Sequence, residues 1–236
     1  RNAVNSQLAT ELEAAVDELE SDDELRVGLL TSMHGGEPPV FCAGADLKAI
    51  QSEGADALQT ERGGFAGFVY RDREKPIVAA IDGLATSGGC EIALACDIVV
   101  ASKRSAFGLA EVRWNLVAGA GGLFRLPLAV GSSVALDMIM TAEPIDGTRA
   151  HQLGLVSRLT DDGGSFDEAM RVCEKIAANG PLAVRESRAV ARMTRPDETP
   201  LRERTEVALA RIFASQDLAE GLAAFAERRA PRWTGR

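Results

Sequence analysis

From Asn5 to Glu20 the apolar positions Leu8, Leu12, Val16 and Leu19 recur every three or four residues, which predicts an amphipathic helix capped by Asn5 or Ser6. Three shorter apolar runs lack that period. "RVGLLTS" (Arg26 to Ser32), "KPIVAAIDG" (Lys75 to Gly83) and "DIVVAS" (Asp97 to Ser102) read as buried strands, the second ending in an Asp82-Gly83 turn. Between the last two lies "TSGGCEIALACD" (Thr86 to Asp97), whose paired glycines and Ala/Leu-rich continuation suit a strand-to-helix turn followed by a short buried helix. Strand, helix, strand in this order favours an α/β crossover arrangement with helices packed over sheets.

From Gly122 onward helical periods dominate. "LFRLPLAVG" comes first, then "SSVALDMIM" with serine caps, then a segment opened by Asp146 and stopped by Gly154. A strand-like "LVSRL" (Leu155 to Leu159) intervenes. Phe166, Ala169, Met170, Cys173 and Ile176 then mark another helix, and further helices run from Leu182 to Arg229 with breaks near Pro196 and Pro200. The expected organisation is an α/β core over residues 1–164 and a C-terminal helical region over residues 165–236, with no internal repeat.

Composition narrows the partners. Among 236 residues the net charge is -9, which argues against a nucleic-acid partner, because such binders carry a basic face that displaces counterions. No apolar run reaches the roughly 18 residues of a membrane span, and Arg1 opens a polar segment without the regions of a signal peptide. A soluble, cytoplasmic protein with no membrane partner is expected. The four cysteines form no C-x-x-C pair and no histidine stands at zinc-ligand spacing, so they read as small buried thiols rather than a metal site or disulfide framework.

Candidate chemistry gathers at two turns. Gly88 and Gly89 leave backbone N–H groups free at a helix N-terminus, a position suited to an oxyanion; the same glycines would also serve merely to let helix and strand pack closely. In "FCAGADLKAI" (Phe41 to Ile50) strand-like residues end at Phe41, small residues let a ligand approach the backbone, and Asp46 is a candidate cap. Donors from two such turns can converge on one oxygen and stabilise an enolate or tetrahedral oxyanion. The acid–base candidates are Glu91 and, in "SAFGLAEVRWNLVAGAGG", Glu111. Both lie in apolar surroundings, where a carboxylate must be paired or protonated and its pKa rises toward the range of a general acid or base. The competing explanation for each is a buried ion pair with Arg113 or Arg125.

Other chemistries find less support. His34 falls in the loop "MHGGEPP" and His151 in "RAHQLG", both read as surface positions. The turn Ala85-Thr86-Ser87-Gly88-Gly89 is not the G-x-S-x-G elbow of a serine hydrolase, and "VAGAGG" (Val117 to Gly122) lacks the preceding strand of a dinucleotide fingerprint.

With these residues in view, the sequence closely resembles the enoyl-CoA hydratase/isomerase family, the crotonase superfamily. "FCAGADLK", "AIDGLATSGGCEIALACDIVVAS", "FGLAEVRWNLVAGAGGLFRLP", "HQLGLVSRL" and "AFAERRAPRWTGR" match in order and spacing over nearly the whole chain. The resemblance implies an α/β fold of the crotonase-like (ClpP/crotonase) kind, a spiral of β-β-α units with a C-terminal helical trimerisation region. It implies an acyl-CoA thioester substrate, a homotrimer or homohexamer (dimer of trimers), and no cofactor beyond the coenzyme A that the substrate carries. Ala43 and Gly88 would then supply the oxyanion-hole N–H groups, and Gly44, Ala45 and Asp46 would line the pantetheine and acyl entrance. Glu91 and Glu111 fall on the two glutamate positions of the family's hydratases. The resemblance also implies an opening strand and hairpin ahead of the piece matching "RNAVN", so the sequence is expected to be incomplete at its N-terminus. Three departures stand out: Ser87 in place of a glycine, Val117-Ala118 where hydratases often have a proline, and the bulky Trp114 close to Glu111.

The expected activity is hydration of a trans-2-enoyl-CoA to a 3-hydroxyacyl-CoA in fatty-acid or related acyl-CoA catabolism. Two alternatives keep the fold: double-bond isomerisation, and carnitine-type (crotonobetainyl-CoA) hydration or dehydration, which the loop "VAGAGGLFRLP" resembles. A non-catalytic acyl-CoA-binding protein is a third, and the two glutamates argue against it. The CoA phosphates should meet basic groups, for which the tail "ERRAPRWTGR" is a candidate.

Overall fold

Successive strand pairs divide between two sheets, and this alternation builds the molecule. The computed structural model describes residues 1–33 and 37–236, so His34 lies outside the described residues. One sheet contains β1 (Gly28–Thr31), β5 (Ile77–Ile81), β7 (Ile98–Ser102) and β10 (Arg158–Thr160), all parallel and in that order. The other contains β2 (Val40–Cys42), β6 (Leu84–Thr86) and β8 (Ala106–Gly108) in parallel, with β9 (Ile145–Asp146) antiparallel on β8. A small antiparallel ribbon joins β3 (Gln59–Thr60) to β4 (Gly64–Phe65). Each pair β1/β2, β5/β6 and β7/β8 sends its first strand to one sheet and its second to the other. Helices α2 (Leu47–Glu53), α3 (Gly88–Ala95) and α4 (Gly122–Val130) follow the pairs in turn, which makes the repeating unit β-β-α.

The three predicted strands are β1, β5 and β7. Every residue of β5 is buried, as a strand flanked by parallel neighbours and covered on both faces requires. The predicted first helix is α1 (Ser6–Ser21), capped by Asn5, whose side chain accepts the Leu8 N–H at 2.9 Å. Asp146 caps α6 (Gly147–Leu153) and Gly154 ends it in a left-handed conformation, as expected. Helix α5 (Ser132–Thr141) differs: Gly131, at φ 84° and ψ 151°, is the cap, and both serines lie inside the first turn. Pro200 also differs. It sits in the first turn of α9 (Thr199–Phe213), where its missing N–H costs no intrahelical bond.

The boundary expected at Ser165 coincides with the start of α7 (Ser165–Ala177). That helix nevertheless buries Ala169, Val172 and Cys173 against Val78, Ala80 and Val100 of the parallel sheet, so the core layer extends through it. Beyond it come α8 (Pro181–Arg192), α9 and α10 (Gln216–Glu227). Buried Arg125 of α4 fastens α9 with two hydrogen bonds to Glu198, at 2.9 and 2.6 Å. All four cysteines are buried free thiols, and His151 makes a 2.9 Å contact with the Val156 carbonyl through Nδ1. Among the described residues no acidic, histidine and cysteine cluster could hold a metal ion, and no helix is long and apolar enough to cross a membrane.

Candidate active site

Helix α3 begins at the C-terminal end of β6, and three glycines let the turn close. A Cβ on Gly89 would meet the Cys42 carbonyl oxygen at 2.1 Å, and one on Gly88 would meet the Phe65 ring at 2.5 Å. Gly44 holds φ at 88°, and a Cβ there would lie 3.0 Å from both the Gly88 nitrogen and the Ser87 Cβ. The two small-residue turns are therefore in contact. The first turn of α3 leaves the Gly88 and Gly89 N–H groups without intrahelical acceptors. The Ala43 N–H donates to the Arg1 carbonyl at 3.2 Å, a long bond that an incoming oxygen would have to displace. Val4 ties down the rest of the loop: its N–H donates to the Gly44 carbonyl, its carbonyl accepts the Asp46 N–H, and it forms a β-bridge with Ala45. The Asp46 side chain caps α2 by accepting the Lys48 N–H at 2.9 Å.

Glu91 projects from α3 into the protein and is 3% exposed. Its Oε1 accepts two backbone hydrogen bonds, from Ala120 at 2.7 Å and from Gly122 at 2.8 Å. Gly122 is the first residue of α4, so the carboxylate sits in the positive field of a helix N-terminus. The approach depends on glycine: Gly121 holds φ at 102°, and a Cβ on Gly122 would lie 3.0 Å from Glu91 Oε1. Glu111 opens a single 3₁₀ turn, Glu111–Trp114, just beyond β8. Its Oε2 is buried and has no hydrogen-bond partner.

Burial raises both carboxyl pKa values. For Glu91 the two N–H donors and the more distant Arg125 oppose the rise, which reaches about 7. For Glu111 the neighbouring Glu91 charge adds to burial, its own backbone N–H and the Ser87 hydroxyl oppose more weakly, and the value is about 8. Cys90, fully buried, is pushed up by burial and then by the charges of these same two glutamates. The ion pairs that would have explained the glutamates away are not formed. Arg125 is committed to Glu198 and the Val69 carbonyl, and Arg113 donates to the Ala142 carbonyl at 2.9 Å.

Ser87 is the strained member of the site. A non-glycine residue at φ 54° and ψ -128° persists only where its surroundings hold it, and here its N–H donates to Gly108 while its carbonyl accepts from Cys90 and Glu91. Sequence reasoning had missed the two N–H groups that receive Glu91. Their signal was present in "AGAGG", whose glycines look like a loop until a carboxylate is seen filling the space they leave. It had also missed Tyr70, whose hydroxyl donates to the Gly119 carbonyl at 3.1 Å and braces the same loop.

A β-β-α spiral that buries two carboxyls beside a pair of touching small-residue turns defines a crotonase-fold enzyme of acid–base chemistry. Comparison with known proteins agrees: the chain belongs to the enoyl-CoA hydratase/isomerase family, whose profile matches residues 1–236. It is 36% identical over 246 residues to the mitochondrial methylglutaconyl-CoA hydratase of Mus musculus, covering 100% of this chain and 76% of that protein. It is 34% identical over 239 residues to a probable mitochondrial enoyl-CoA hydratase 2 of Arabidopsis thaliana, with coverage of 100% and 78%. The crystal structure of a carnitinyl-CoA hydratase from Mycobacterium avium superposes with a TM-score of 0.88 at 38% identity, over 99% of this chain and 90% of that one.

Proposed function

We propose that the protein is an enoyl-CoA hydratase, a hydro-lyase that adds water across the 2,3 double bond of a trans-2-enoyl-CoA to give a 3-hydroxyacyl-CoA. The observation that carries this reading is the difference between the two buried carboxyls: one oxygen of Glu91 is held by two N–H donors, and one oxygen of Glu111 has no partner. Burial favours the protonated form of both carboxyls, and the two N–H donors that hold Glu91 make it the readier base and leave Glu111 as the acid. The Gly88 and Ala43 N–H groups receive the thioester oxygen. Glu91 takes a proton from water as its oxygen bonds to C3, and the double-bond electrons move onto the thioester as an enolate stabilised by those donors. Glu111 delivers its proton to C2, the enolate collapses, and proton exchange between the carboxyls restores the starting state. No oxidation state changes overall, so the reading calls for no cofactor besides the CoA of the substrate.

In the same reading the chain assembles as a homotrimer or homohexamer and works in the cytoplasm on acyl-CoA catabolism. Loss of conjugated-thioester absorbance on mixing with crotonyl-CoA tests the reaction. Binding of the ester without turnover would contradict it. A second reading, hydration of a carnitine-type acyl-CoA, is favoured by the loop "VAGAGGLFRLP" and by the Mycobacterium avium likeness. A panel of enoyl-CoA esters with and without a quaternary ammonium group separates the two.

A further inference from the structure

Glu111 stands on one 3₁₀ turn, too short to fix a side chain by its own hydrogen bonds. Besides the Ser87 hydroxyl near its carboxyl and the Arg113 bond to the Ala142 carbonyl, support for this turn comes from the far end of the chain. Helix α10 packs against this turn so closely that a Cβ on Gly221 would lie 2.3 Å from the Trp114 carbonyl oxygen and 2.7 Å from its carbon. The Trp114 and Phe225 rings meet edge to face with centroids 5.0 Å apart. The Asn115 amide, one residue past the turn, donates to Ser215 Oγ at 2.9 Å. Helix α10 is itself held: Asp217 accepts from Thr234 N, Thr234 Oγ1 and Gly235 N at 2.7 to 2.8 Å, and Glu220 forms an ion pair with Arg229 at 2.6 Å. Thus two contacts from one helix, including a backbone-to-backbone approach that only glycine permits, bear on Trp114 at the end of the turn that carries the second carboxyl, and a third from the helix cap holds Asn115 just beyond it.

We propose that α10 is a positioning element for Glu111, with Gly221 and Phe225 as the residues through which it acts. The inference rests on the hydratase reading and extends it: the C-terminal region sets the acid of the reaction, while the thioester contacts lie on other turns of the core. Gly221→Ala should favour the isolated helix yet push the Glu111 turn away. Its kcat for crotonyl-CoA should drop roughly tenfold to a hundredfold, the cost of about an ångström of misplacement, with KM within about twofold of the parent. Phe225→Ala should do the same, and Phe225→Tyr, which keeps the ring, should restore most of the rate. In a Trp233→Phe background Trp114 is the sole indole, and its emission should change in Gly221→Ala and Phe225→Ala but not in Phe225→Tyr. Unchanged kcat in both alanine variants, or a loss shared equally by kcat and the folded fraction seen by circular dichroism, would overturn the proposal. A parent protein inert toward crotonyl-CoA would instead overturn the hydratase reading on which it rests.

Discussion

Replacing Glu91 by glutamine and by alanine separates the chemistry of this residue from its structural role. The glutamine oxygen can still accept the Ala120 and Gly122 N–H groups, at 2.7 and 2.8 Å in the parent, so the loop before α4 should stay in place. What glutamine cannot do is take a proton from water. Loss of a general base costs roughly a hundredfold to ten-thousandfold in rate, about 3–5 kcal/mol of barrier, and Glu91→Gln should lose that much kcat while binding CoA esters normally. Alanine also strands two buried donors at about 1–3 kcal/mol each, so Glu91→Ala should be less stable than the parent by about 2–6 kcal/mol. Initial hydration rates with crotonyl-CoA and urea denaturation at one pH give both numbers. The pH dependence adds a sign. Burial raises the Glu91 pKa from 4.5 to about 7, so within that interval the folded state holds a proton that the unfolded chain has released, and stability falls as pH rises. Glutamine has nothing to release, so Glu91→Gln should gain stability relative to the parent from about pH 5 to pH 8. A glutamine variant with near-parental turnover would refute the assignment of base, and an alanine variant as stable as the parent would refute the account of what the two N–H groups do.

Glu111→Gln should cut kcat by a similar factor, and the parent's rate should follow a bell with limbs near the two raised pKa values, about 7 and about 8; a flat pH profile would contradict the assignment of base and acid. Ser87→Gly should raise the melting temperature by relieving backbone strain of about 1–3 kcal/mol, offset in part by the entropy of glycine. Because the Ser87 hydroxyl lowers the Glu111 pKa, the same variant should move the high-pH limb upward, and a shift downward would exclude that contact. Arg125→Met deprives half-buried Glu198 of its two-point partner and leaves it Arg202 at 3.1 Å, so stability measured by urea denaturation should fall by about 1–3 kcal/mol.

The parts of this molecule that were legible in the sequence are those governed by local rules. Apolar runs without helical period became β1, β5 and β7, and Asp46, Asn5 and Asp146 cap helices because a short polar side chain before an apolar period has little else to do. The turn at Gly88 and the carboxylate four positions after Ser87 were also plain, since an ionisable group in an otherwise apolar helix demands an explanation. What could not be read depends on residues far apart in the chain. That Glu91 is received by Ala120 and Gly122, across 29 and 31 positions, is set by how α4 packs on α3. That Gly221 must be glycine is set by Trp114, more than a hundred positions away, and nothing in "AEGLAAF" announces it. Long-range contacts of this kind follow from topology, which hydrophobic pattern constrains only loosely.

The most direct test of the central claim is the mass and structure of the product formed from a trans-2-enoyl-CoA by the purified protein. A thioester heavier by one water, hydroxylated at C3 and absent when Glu91→Gln replaces the parent, is the predicted result. A product of unchanged mass with its double bond moved would contradict hydration and make the two buried carboxyls a proton shuttle of an isomerase.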